Sequence, residues 1–190
     1  MTTQSAESGA RGGSTGQRLR AILSALVTVG IMLAVLSSPA VAQTTGSETF
    51  HGVLVVSGAA GTRELVSSVV VATGVFNGVG HVVERENLPG DPDNVSRDDL
   101  VFADGTLHIV NTTLDASFEI NPRSCIAHFT AHQTTTVEGG TGLFADATGS
   151  FAATVTGLGR ARRNADGSCA ADQVALFEVD RLTASGTLSF

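Results

Sequence analysis

After residue 42 the chain shows no sustained helical period. Short segments rich in Val, Thr and Phe alternate instead with glycine, Asp-Gly and Pro-containing punctuation. Such a chain can bury its apolar surface only by pairing strands. Strands are expected over residues 50–56, 65–73, 75–86, 100–102, 106–111, 117–120, 125–137, 150–160, and 174–179 continued by 182–190. Asp104-Gly105 is a strong two-residue hairpin signal. Gly78 and Gly80 inside a strand imply a bend or bulge of the kind tight barrels use. Residues 88–99 carry two Pro and four Asp and read as an exposed loop, as does the polar segment 160–171. The connections are short, so neighbouring strands should run antiparallel. The expectation is an all-β domain over 43–190, a small antiparallel β-barrel of about eight strands, with a β-sandwich as the alternative.

Residues 1–42 have a different character. Arg18 and Arg20 precede the mostly apolar run 21–36; Ser37-Ser38-Pro39 breaks it, and Ala40-Val41-Ala42 follows. A basic stretch, an apolar stretch and Ala-x-Ala predict a cleavable secretory signal peptide over 1–42 and an extracellular protein. The apolar run is shorter than the ~20 residues a transmembrane helix needs, so no membrane span is expected after processing. Cleavage after Ala42 would remove Arg11, Arg18, Arg20 and Glu7, leaving 17 acidic residues against 8 Arg, a charge of −9. That balance excludes a nucleic-acid partner, because phosphate binding needs a basic surface. The processed chain would contain no Lys, Met, Trp or Tyr. Lysine Schiff-base and tyrosine acid chemistry are thereby excluded, and no cofactor motif is present. In an exported chain the two cysteines, Cys125 and Cys169, are expected to form a disulfide rather than two buried thiols.

Candidate chemistry is sparse. Glu84 and Glu86 share one face of their strand, opposite His81 and Arg85. If that face is the lumen, two carboxylates stand together as an acid/base pair; if not, they are a solvated face beside an acidic loop. His128 is a third candidate for a lumenal or ligand-contacting position. His132 shares its face, but the two are ~13 Å apart along a strand, too far to bind one metal ion. Residues 91–99 gather oxygens that would suit Ca²⁺, yet lack the glycine and glutamate of an EF-hand, and no metal site is expected. No Gly-x-Ser-x-Gly, His-Glu-x-x-His or Cys-His arrangement anchors a hydrolase reading.

One motif stands out: Gly139-Gly140-Thr141-Gly142-Leu143-Phe144-Ala145-Asp146-Ala147-Thr148-Gly149. Gly139, Gly140 and Gly142 allow positive φ at a strand end, Phe144 supplies apolar bulk, and Gly149 restarts extended chain, as a hairpin plugging one end of a barrel requires. A phosphate loop would need a Lys and a following helix, and neither is there. This segment resembles the Gly-Gly-Thr-Gly-x-Phe-x-x-Ala-x-Gly stretch of the allene oxide cyclase and dirigent-like β-barrel family, which includes many secreted actinobacterial proteins. The resemblance spans about residues 100–190. It implies an eight-stranded antiparallel barrel, often trimeric in the plant members. No catalytic residue of that family carries over, and the lack of Tyr departs from its sites.

Three functions remain open. One is a secreted, non-enzymatic barrel that binds a small apolar molecule or serves structurally. Another is an isomerase, cyclase or stereo-directing protein acting in the lumen, as the resemblance implies. The third is an envelope interaction protein using an acidic outer surface, and an oligomer is compatible with all three. Side chains lining the lumen discriminate among them: an apolar cavity, a cavity with converging polar groups, or a filled lumen.

Overall fold

A computed structural model describes residues 43–190. The signal peptide expected over 1–42 lies outside the described residues. The strands in chain order are β1 (Thr45–Ser57), β2 (Glu64–Gly74), β3 (Gly78–Arg85), β4 (Val95–Phe102), β5 (Gly105–Ile120), β6 (Ile126–Gly142), β7 (Thr148–Arg160), β8 (Arg162–Arg163), β9 (Cys169–Ala170) and β10 (Phe177–Ser189). Eight of them close into an antiparallel barrel in the order β1-β10-β7-β6-β5-β4-β3-β2, while β8 and β9 form a separate two-stranded hairpin. Closure is made by β1 on β10, which pair without a break from Thr45↔Ser189 to Ser57↔Phe177. A closed sheet has no edge to protect, and the sandwich alternative falls away.

Several strand limits differ from the sequence reading. The expected loop 88–99 ends early, because β4 already starts at Val95 and pairs with β5 from Val95↔Thr112 onward. The pieces expected at 106–111 and 117–120 are one strand, β5, with register shifts at Leu107/Ile109 and Thr113/Asp115 that let it bend with the wall. The expected strand 75–86 is interrupted, since residues 75–77 turn between β2 and β3. Cys125 precedes β6 rather than opening it.

One end of the barrel is plugged. Phe76, Phe102, Phe144 and Phe190 pack edge to face, with ring centroids 4.9 Å apart for Phe76–Phe102, 5.0 Å for Phe76–Phe144 and 5.4 Å for Phe144–Phe190. Phe144 is fully buried at 0% exposure. The glycine-rich hairpin delivers it there. Gly142 sits at φ +60°, where a Cβ would meet the Asp104 carbonyl oxygen at 2.4 Å, and the Leu143 amide donates to that same carbonyl at 2.9 Å. Glu48, 1% exposed, accepts from the amides of Phe76 at 3.1 Å and Thr49 at 3.3 Å and so fastens the β2–β3 turn to the plug.

The other end carries the crosslink. Cys125 and Cys169 form a disulfide with Cα atoms 5.4 Å apart, as expected from the cysteine pair. It ties the β5–β6 turn to β9 at the rim.

Candidate functional site

Along each strand the inward-facing residues change from apolar to polar on the way from the plugged end to the open one. On β10 the series runs Leu188, Ala184, Leu182, then Asp180 and Glu178. On β4 it runs Phe102 and Leu100, then Asp98 and Ser96; on β5, Leu107 and Ile109, then Asn111. β3 adds Val82, then Glu84. A single lumen therefore has a hydrophobic floor and an acidic mouth. Between them lies a cavity of about 680 Å³, whose floor includes Phe50, Phe151, Leu100 and Ile109. An eight-stranded barrel has room for one small ligand when its inward side chains leave the centre unfilled, and here Ala131 and Ala184 do so.

The polar groups of the mouth are ordered by one another. Thr135 donates its hydroxyl to Asn111 Oδ1 at 2.6 Å, and Asn111 Nδ2 donates to Asp98 Oδ2 at 2.8 Å, a relay across β6, β5 and β4. Arg63, from the β1–β2 connection, reaches over the mouth to pair with Glu84. Asp180, on β10, is only 4% exposed. Its Oδ1 is buried with no hydrogen-bond partner among the described residues. The room for it comes from Gly157 on β7, its register neighbour; a Cβ there would sit 2.6 Å from Asp180 Oδ1 and 1.8 Å from the Phe129 ring. Two carboxyls are displaced far up from the usual range. Burial, then the charge of Glu84, pushes Asp98 to about 6. Burial, then the adjacent Glu178 carboxylate, pushes Asp180 to about 7. At neutral pH the mouth thus holds carboxyl groups that can bind or release a proton.

The structure sorts the residues singled out in the sequence. Glu84 and Glu86 both line the mouth of the cavity. Glu84 is bound to Arg63, and Glu86 has no ion-pair partner among the described residues. His128 is not lumenal: it is exposed on the outer wall, and its strand neighbours Ala127 and Phe129 take the inward positions. His132 also faces outward, within 3.3 Å of the Thr154 hydroxyl. Gly139, Gly140, Gly142, Phe144 and Gly149 build the plug at the end opposite the mouth. In the acidic loop, Asp91 accepts from Arg97 at 2.7 and 3.2 Å and from the Leu88 amide at 2.8 Å, so its oxygens serve loop closure. Asp98, Asn111, Asp180, Glu178 and Arg63 were missed. For Asp98 a signal existed: Ser96, Asp98, Leu100 and Phe102 alternate with period two.

A second cavity, about 240 Å³, shares Arg63, Phe129 and Glu178 with the first and is bounded by Ala170, Ala171 and residues 173–175 beyond β9. The disulfide therefore anchors one wall of the entrance. No protein-family model, curated protein or solved structure matches the chain.

Proposed function

We propose that the protein is an exported binding barrel for a small organic molecule held in the lumen, with the apolar part of the ligand on the phenyl floor and its polar part at the acidic mouth. The carrying observation is the 680 Å³ cavity with apolar residues at one end and converging carboxyls at the other. The disulfide supports export, because such crosslinks persist in oxidising compartments. The unfilled lumen weighs against a purely structural role.

The test is a fluorescent apolar reporter, N-phenyl-1-naphthylamine, whose emission rises on transfer to an apolar site. The processed chain contributes no Trp or Tyr background. The reporter should bind the parent and be lost in Ala184→Phe, which places a phenyl in the cavity. Equal binding by a folded Ala184→Phe protein would move the site outside the lumen.

A second reading is favoured by the two proton-holding carboxyls: an isomerase, cyclase or stereo-directing protein. Asp98 or Asp180 would give or accept a proton at the polar end of the substrate. It also fits the resemblance of the Gly139–Gly149 segment to the allene oxide cyclase and dirigent-like barrels. Turnover lost in Asp98→Asn or Asp180→Asn with reporter binding retained would mark catalysis rather than carriage.

A further inference from the structure

We propose that the mouth selects a cationic nitrogen, so that the ligand of the lumen is a lipophilic amine with its ammonium group beside Asp180. This rests on the lumen being the binding site and goes on to name the class of ligand. The charges at the mouth are uneven: Glu84, Asp98, Glu178 and Asp180 converge there against Arg63. Arg63 is already committed to Glu84. The other guanidiniums nearby are also engaged, Arg85 with Asp99 at 3.4 Å and Arg97 with Asp91 and Glu138. The carboxylate excess is thus not neutralised by the protein's own cations.

Acidic residues at a mouth need not form a site; the independent feature here is Asp180. It is 4% exposed and lines the cavity, and its Oδ1, packed on the wall beside Gly157, has no hydrogen-bond partner among the described residues. A buried carboxyl without a donor is costly, and a donor arriving with the ligand on the cavity side of the carboxyl offsets that cost. An ammonium supplies both the donor and the charge. A hydroxyl supplies only the donor, and a carboxylate is repelled. The groups facing Asp180 are Glu178 on its own strand, Arg63 from the β1–β2 connection and Glu84 on β3; its register neighbours, Leu54 on β1 and Gly157 on β7, carry no charge. Without ligand, Asp180 retains its proton near neutrality, and an ammonium takes that proton's place.

Three probes of one shape separate the possibilities by calorimetry: 2-(1-naphthyl)ethylamine, 2-(1-naphthyl)ethanol and 1-naphthylacetate. At pH 7.5 the amine should bind at least ~10-fold more tightly than the alcohol, with the acetate weakest. The preference should shrink on lowering the pH to 5, with protons released on amine binding between these values. Asp180→Asn should abolish the preference; Glu178→Gln should reduce it, and serves if the first variant does not fold. Equal affinities for amine and alcohol in the parent would overturn the amine assignment and leave the lumen as the site. A preference that survives both variants would overturn it too. If none of the three probes binds, the lumenal reading itself fails.

Discussion

Phe144 shows how much one side chain does in this barrel. It is the largest of the fully buried residues, and its ring touches the rings of Phe76 and Phe190 where the barrel ends. Phe144→Ala would leave a void that the rigid turn cannot collapse, and is expected to cost ~3–5 kcal/mol in a chemical melt followed by circular dichroism. A variant as stable as the parent would mean that the glycine-rich hairpin serves something other than plugging. The plug was legible in the sequence because its signal is local: glycines for the turn, then one large apolar residue. The mouth was not. Asp180 falls between Val179 and Arg181, where the strand pattern reads as broken, and Asp98 sits in a run of Asp and Pro that reads as loop. Asp180 becomes inward-facing only through register, set by pairing with residues far along the chain such as Leu54, whereas for Asp98 the alternation of Ser96, Asp98, Leu100 and Phe102 was masked by the loop-like composition of residues 88–99.

At the level of elements, the turn from β5 to β6 is built around a residue in an unfavourable conformation. Asn121 Oδ1 accepts from the amides of Arg123 and Ser124 at 2.9 and 3.1 Å, and the Cys125 amide donates to the Asn121 carbonyl at 2.8 Å. Cys125 follows at φ 56°, the only non-glycine residue with positive φ among the described residues. A non-glycine residue pays roughly 1 kcal/mol there, and the crosslink to Cys169 holds it in place. Removing the crosslink as Cys125→Ser with Cys169→Ser is expected to cost ~2–4 kcal/mol. Cys125→Gly with Cys169→Ser should recover about 1 kcal/mol of that loss, because glycine takes positive φ freely. Paired thermal melts decide the matter: if the serine and glycine versions melt together, the left-handed turn contributes nothing to stability. The pairing of the two cysteines was legible from their number together with the expectation of export. The strained turn was not, since nothing local to Ser-Cys-Ile announces a positive φ.

For the whole molecule, the acidic mouth sets how stability depends on pH. An acid whose pKa is raised by folding binds its proton more tightly in the folded than in the unfolded chain. Its stabilising contribution is complete below the unfolded value, near 3.8, and is lost as pH rises through the folded value, about 6 for Asp98 and about 7 for Asp180. Two other carboxyls act in the opposite sense. Asp91, bonded to Arg97, and Asp166, bonded to Ser168, are held below the usual range, so their contribution is lost as pH falls below about 4. The barrel should therefore be most stable between about pH 4 and 5 and weaken steadily toward pH 8, by an amount on the order of 2–4 kcal/mol. Combining Asp98→Asn with Asp180→Asn should flatten the descent between pH 5 and 8 and leave the acid limb unchanged. Calorimetric melts across pH 3–9 measure both limbs. Stability that is constant or rising from pH 5 to 8 in the parent would mean that these carboxyls are not buried as acids at the mouth. A bound lipophilic amine should also flatten the neutral limb, since an ammonium beside Asp180 relieves the same desolvated charge. The loss of stability in the empty barrel and the selection of ligand then have one origin, a carboxylate buried at the mouth ahead of its partner.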